Sequence, residues 1–128
     1  MHLTDLHVAL VDDDDSVRRA ISRLLRVAGM EVDAYASGTE FLDALEGPLP
    51  DCLVLDMYMP AMSGLDVQAA VNARQLTLPI VFITAHDDAV AEQRGLDAGA
   101  VVCLRKPFSE QKLLVAIATA THADSRAG

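Results

Sequence analysis

The chain has 128 residues, is 52% hydrophobic and carries a formal charge of -9, which suits one globular domain with a substantial core and leaves no room for a second. The acidic balance excludes a nucleic-acid surface, because phosphate binding relies on Lys and Arg. No apolar run approaches the roughly eighteen residues of a membrane span, and Met1 to Asp5 is too short and polar for a secretory signal, so a soluble cytoplasmic protein is expected.

The first apolar run, His7 to Val11, ends on Asp12 and Asp13. Val17, Ile21, Leu24, Leu25 and Ala28 then recur at helical spacing, with Ser16 or Asp15 as the expected cap and Gly29 as the stop. A second strand is predicted from Val32 to Ala36. Ser37 or Gly38 opens a short helix through Phe41, Leu42 and Leu45 that halts before Gly47-Pro48-Leu49-Pro50. The run Cys52 to Leu55 leads to Asp56, followed by a loop from Met57 to Ser63 and a helix from Gly64 to about Arg74. Pro79 starts the fourth strand, Ile80 to Ile83, which ends on Thr84. Asp87 or Asp88 caps a helix reaching Ala98, and Gly99 ends it. The last run, Val101 to Leu104, ends on Arg105 and Lys106; Ser109 caps a final helix to about Thr121. The tail, residues 122–128, is small and polar and is expected to fray or to begin a linker, leaving residues 1–121 as the domain.

Short runs rich in Val, Ile and Leu that do not alternate read as strands buried on both faces, the habit of parallel strands. Strands alternating with helices give βα units, and right-handed connections cover the sheet on both faces. Parallel strands share one C-terminal edge, where open α/β sheets bind ligands. Asp12, Asp13, Asp56, Thr84 and Lys106 would converge there. Cys52 and Cys103 lie in different strands. With another strand between them they sit roughly 9 to 10 Å apart, beyond disulfide reach, so buried reduced thiols are expected.

Three carboxylates a few ångströms apart repel. At about 4 Å and an effective dielectric near 20, each like-charge pair costs about 4 kcal/mol. Lys106 alone cannot balance three charges, so a divalent ion is expected, and an all-oxygen donor set with no His or Cys favours Mg²⁺ or Mn²⁺ over zinc. Such a site suits phosphoryl transfer, in which positioning and charge neutralisation do most of the catalysis. Asp56, alone at the end of its strand, is the natural nucleophile for an aspartyl-phosphate, with Thr84 and Lys106 on the phosphoryl oxygens.

Val11-Asp12-Asp13-Asp14, Leu55-Asp56-Met57-Tyr58-Met59-Pro60 with Ser63-Gly64, Ile83-Thr84-Ala85 and Lys106-Pro107-Phe108 together resemble the motif set of receiver domains of two-component response regulators, in family order from about His7 to Thr121. Asp97-Ala98-Gly99-Ala100 with the later Lys106-Pro107-Phe108 is also similar to receivers of the FixJ/LuxR type, which precede a helix-turn-helix. The resemblance implies a five-stranded parallel sheet of flavodoxin-like (CheY-like) order 2-1-3-4-5. It implies that Asp56 accepts a phosphoryl group from a histidine kinase or phosphotransfer protein. It further implies that Asp13, Asp56 and the Tyr58 backbone carbonyl bind Mg²⁺ directly while Asp12 acts mainly through water. Phosphorylation would move Thr84 and change the surface of the fourth helix, fifth strand and fifth helix, which partners read and through which family members form homodimers. The Lys106-Pro107 bond is often cis in such domains. The output would be transcription through a separate DNA-binding domain, or protein–protein interaction by a stand-alone receiver.

The chain departs from the pattern at Cys103, where the family usually has Tyr or Phe. A thiol is too small to report the rotamer change of an aromatic, so either signalling relies on the Thr84 loop and backbone or Cys103 is a packed small residue. Tyr58 and His86, two residues after Asp56 and Thr84, flank the phosphoryl position of receivers. Either their rings obstruct the attacking water and slow dephosphorylation, or they point into solvent.

Other features have plainer readings. Asp14 and Asp15 suit a helix start; His2, His7 and His122 lack metal-ligand spacing; Met57, Met59 and Met62 suit loop packing. A phosphatase or phosphotransferase of the haloacid-dehalogenase type would need a second Asp where Tyr58 stands, which disfavours a turnover enzyme. Nucleotide binding lacks a G-x-G-x-x-G or a P-loop after the first strand. A degenerate receiver would lack an acceptor or metal carboxylate, and none is missing.

Overall fold

The computed structural model describes residues 3–85 and 88–127, with side chains through residue 122. The five apolar runs form β1 (His7–Val11), β2 (Glu31–Tyr35), β3 (Cys52–Asp56), β4 (Ile80–Thr84) and β5 (Val102–Arg105). They pair in parallel in the order β2-β1-β3-β4-β5. Every residue of β3 and β4 is buried, as expected of central strands covered on both faces. Between them run α1 (Asp15–Val27), α2 (Gly38–Asp43) with a 3₁₀ turn over Ala44–Glu46, α3 (Gly64–Ala73), α4 (Ala89–Asp97) and α5 (Glu110–Ala127).

Alternation along the strands sorts the core into two layers. Val8, Leu10, Cys52, Val54, Val81 and Ile83 face α1 and α5, meeting Ile21, Leu25, Leu113 and Ile117. Ala9, Val11, Leu53, Leu55, Ile80 and Phe82 face the other way, onto Phe41, Val67, Val71 and Ala91 of α2, α3 and α4. Each large aliphatic or aromatic side chain so buried contributes roughly 1.5–3 kcal/mol. Cys52 and Cys103 are free thiols on β3 and β5 with β4 between them, as the strand spacing predicts.

The helix ends show why the chain turns where it does. The cap of α1 is Asp14, not Ser16 or Asp15: Asp14 is extended (φ -84, ψ 114) and its Oδ1 accepts from Ser16 N at 2.9 Å and Val17 N at 3.1 Å. Asp15 is already helical and pairs with Arg18 one turn on. Ser37, Ser63, Asp88 and Ser109 cap the other four helices by accepting first-turn amides. At Gly29 (φ 98) and Gly99 (φ 111) the chain leaves α1 and α4 through left-handed backbone, where glycine bears no Cβ penalty.

Several boundaries differ from the sequence reading, among them β5, which runs Val102–Arg105 and not Val101 to Leu104. β2 begins at Glu31 because His7 pairs with Glu31 and Val11 with Tyr35, while the Ala36 amide turns to the Glu40 carboxylate at 3.1 Å. The fourth strand begins at Ile80, after Pro79. Helix α5 continues to Ala127: Thr121 does not end it, because its hydroxyl bonds back to Ile117 O at 2.9 Å within the helix.

Candidate functional site

The site forms where the strand order reverses, between β1 and β3, the crevice position of open α/β sheets. Val11 pairs with Leu55, so Asp12 and Asp56 emerge side by side from neighbouring central strands. Asp12 is 1% and Asp56 5% exposed, whereas Asp13 lies at the surface. Each of the three offers a carboxylate oxygen, and these oxygens lie within 4.8 Å of one another. Thr84, 1% exposed, ends β4 next door, and Lys106 follows β5, its amide donating to Thr84 O at 2.9 Å. The five residues predicted to converge are therefore carried by adjacent strand ends on one edge, and the Lys106-Pro107 bond is cis.

Backbone donors fix the buried carboxylates. Asp14 N donates to Asp12 Oδ1 at 2.9 Å and Tyr58 N to Asp56 Oδ1 at 3.2 Å. Met57 N reaches Ile83 O at 2.9 Å, and Gly64 N returns to Met57 O at 3.0 Å, closing the loop after β3. Gly64 is required there: a Cβ would stand 2.5 Å from Asp56 O and 2.8 Å from Met57 Cα. In the same loop Ala61 adopts φ 66, a left-handed conformation unusual for a residue with a Cβ.

The electrostatics are those of crowded acids. Burial first, and then the charges of Asp12 and Asp13, push the Asp56 carboxyl up to about 7, against the opposing pull of Lys106. Burial also raises Asp12, opposed by the Asp14 amide and Lys106. The second oxygen of Asp12, Oδ2, is buried without a hydrogen-bond partner among the described residues, an arrangement that costs free energy unless something cationic meets it. An all-oxygen set with one orphaned carboxylate oxygen fits a hard divalent cation.

The remaining site expectations divide. Tyr58 is 45% exposed, and its amide holds the Asp56 carboxylate. His86 lies outside the described residues, as does His2. Cys103 is half-buried on the α3–α4 side of β5, and its thiol donates to Glu92 O at 3.7 Å. Burial pushes that thiol up to about 11 and the Cys52 thiol up to about 12, so neither is a ready thiolate. Asp14 is a cap, Met57 is core and Met59 and Met62 pack against it, and His7 Nε2 meets Asp33 Oδ2 at 2.6 Å. Sequence reasoning missed Ala61, the Tyr58 amide, and an ion pair between Arg105 Nε and Glu92 Oε2 at 2.8 Å.

An acidic pocket at the switch point of a 2-1-3-4-5 sheet, with Thr and Lys on the next two strand ends, defines a flavodoxin-like α/β domain equipped to handle phosphate. The sequence pattern described as the response regulator receiver domain matches residues 8–118, and the chain belongs to that family. It is 41% identical over 119 residues to Nodulation protein W of Bradyrhizobium diazoefficiens, covering 93% of this chain and 52% of that protein. Among solved structures, full-length FixJ from B. japonicum superposes with a TM-score of 0.90 at 33% identity, over 97% of this chain and 61% of that one. A receiver protein from Burkholderia phymatum is 43% identical with a TM-score of 0.76, over 91% of this chain and 98% of that one. The chain spans about half the length of the curated relatives it matches. Among the described residues, no helix is long and apolar enough to cross a membrane.

Proposed function

We propose that Asp56 is the phosphoacceptor of this receiver. The observation that carries the reading is the buried Asp56 carboxylate, held through Oδ1 by the Tyr58 amide and crowded by Asp12 and Asp13. An oxygen of Asp56 attacks the phosphorus of a phosphohistidine on a histidine kinase or phosphotransfer protein. The P–N bond breaks, its electron pair returns to the imidazole nitrogen, and that nitrogen takes up a proton from water. Asp12, Asp13, Asp56 and the Tyr58 carbonyl would hold Mg²⁺, with Mn²⁺ the other hard cation that suits them. Bound there, the cation would neutralise charge on the carboxylates and the phosphoryl oxygens. Thr84 and Lys106 supply a hydroxyl and an ammonium to the oxygens of the attached group.

The protein so read is a signalling domain that phosphorylates and dephosphorylates itself and is not a turnover enzyme. It works in the cytoplasm, and its phosphorylated form alters the surface of α4, β5 and α5. The relatives' greater length supports an output module outside this chain, of the transcription-regulating kind, with homodimerisation through that same surface. The test is incubation with a small phosphodonor and Mg²⁺. We expect one hydroxylamine-labile phosphoryl group per chain, abolished in Asp56→Asn. Labelling that survives the substitution, or donor turnover that Asp56→Asn leaves unchanged, would overturn the assignment.

A further inference from the structure

Helix α4 is attached differently from its neighbours. The other helices bury Leu, Ile, Val or Phe, but the buried residues of α4 are Ala91, Glu92 and Gly95, and its Val90 and Leu96 are 72% and 40% exposed. Small residues remove little apolar surface from water, so burial holds α4 weakly. Side chains from both flanks hold it instead. From α3, Gln68 Nε2 donates to Gly95 O at 2.8 Å and Asn72 Nδ2 to Ala98 O at 3.0 Å. From β5, the Cys103 thiol reaches Glu92 O and Arg105 Nε reaches Glu92 Oε2.

Glu92 thus receives both contacts from β5. Its side chain is 12% exposed against 56% for Arg105, so the carboxylate has given up water that a lost partner would leave unreplaced. Arg105 is also the register partner of Thr84, and the next residue's amide bonds Thr84 O. A displacement of Thr84 toward Asp56 therefore acts directly on the strand segment that grips α4.

We propose that Glu92 is a positioning residue that latches α4 to β5 in the resting protein, and that loading of Asp56 releases this latch. The proposal rests on the reading of Asp56 as phosphoacceptor. Cys103, too small to swing as an aromatic would, contributes an attachment from β5 to the Glu92 carbonyl. A latch made only in the resting state opposes activation by its differential free energy, so removing it favours the loaded state.

The experiment compares the wild type, Glu92→Gln and Arg105→Gln, the latter approached from the exposed side so that folding is spared. Beryllofluoride with Mg²⁺, a mimic of the aspartyl-phosphate, is titrated with NMR detection, with Asp56→Asn as the blank. Amide hydrogen exchange in α4 is measured separately without metal or mimic. Both variants should bind the mimic roughly threefold to tenfold more tightly and show faster α4 exchange with unchanged protection in β1. General structural damage would weaken binding, so it cannot produce this result. Wild-type affinity or wild-type exchange in both variants overturns the latch alone, whereas a wild type that binds no mimic overturns the phosphoacceptor reading and the latch with it.

Discussion

Asp12 and Asp56 are held by the same device on adjacent strands: each Oδ1 accepts the backbone N–H two residues further along, from Asp14 at 2.9 Å and from Tyr58 at 3.2 Å. The device fixes both carboxylates through one oxygen, and the other oxygen of Asp12 is buried with no hydrogen-bond partner among the described residues. The fold thus holds two buried acids in a repulsive arrangement that only a cation or a proton relieves.

That arrangement sets a pH dependence for the ion-free protein. The folded Asp56 carboxyl titrates near 7 against an ordinary value of 3.8, and Asp12 is shifted in the same direction. Above pH 7 Asp56 is ionised in both states and the folded state bears the whole cost. Between pH 7 and about 4 the folded state binds a proton that the unfolded state does not, so stability rises as pH falls. Asp56→Asn should therefore stabilise the chelated protein at pH 8, by on the order of 2–4 kcal/mol, and by progressively less toward pH 4. Urea unfolding in EDTA across this range checks it; a pH-independent difference between the two proteins would refute it. Adding Mg²⁺ at pH 8 should raise the wild-type midpoint more than that of Asp56→Asn, because binding to the folded state alone adds stability.

Gly64 makes a sharper mechanical prediction. A Cβ at this position meets the Asp56 carbonyl and the Met57 Cα at 2.5 and 2.8 Å, with Phe82 at 3.0 Å behind, and backbone cannot yield as a flexible side chain can. Gly64→Ala should cost about 1–3 kcal/mol and displace the loop that carries the Tyr58 amide. Thermal unfolding and the chemical shift of the Tyr58 amide would report the two effects; a variant as stable as the parent would contradict the geometry.

The sheet and most of the site were legible because their signals are local and periodic. Non-alternating runs gave the buried strands, and the residue after each run fell on the common edge, which is why Asp12, Asp56, Thr84 and Lys106 could be assembled without coordinates. What was not legible depends on distances between elements or on single dihedral angles. In the row Asp12 to Asp15, composition cannot say which acid caps α1; the extended backbone of Asp14 decides it. The Glu92–Arg105 pair requires the approach of α4 to β5, which no spacing encodes. Thr121 looked like a helix end by polarity, but its hydroxyl satisfies itself on the preceding turn.

Ala61 carries local strain that a substitution can relieve. Its φ of 66 places a Cβ in the left-handed region, which costs L residues other than glycine roughly 1–2 kcal/mol, while glycine in the unfolded chain loses part of that gain through added entropy. Ala61→Gly should therefore stabilise the protein by about 0.5–1 kcal/mol, read as a higher urea midpoint. Destabilisation would mean that the loop does not hold this conformation in solution.

Ser22 sits in α1 beside Ile21 and Leu25, 5% exposed, with its hydroxyl unpartnered among the described residues. A buried hydroxyl without a partner has lost water and gained nothing in return. Ser22→Ala removes it, leaves only a small change in volume and improves helix propensity. Stabilisation of about 1 kcal/mol is expected by chemical denaturation, and a loss of that size would show that the hydroxyl has a partner after all.

Tyr58 combines a structural amide, which holds Asp56 Oδ1, with an exposed side chain two residues after the acceptor. The amide contribution survives any substitution of the side chain, so Tyr58→Asn isolates the ring. If the ring screens the acyl phosphate from the attacking water, the variant should lose its phosphoryl group faster than the parent, with loading by a small phosphodonor unaffected. The decisive measurement is the half-life of the phosphorylated protein after removal of the donor, in the presence of Mg²⁺. An equal half-life would place the ring in solvent without influence on hydrolysis, and a longer one would assign the water-positioning role to the tyrosine hydroxyl instead.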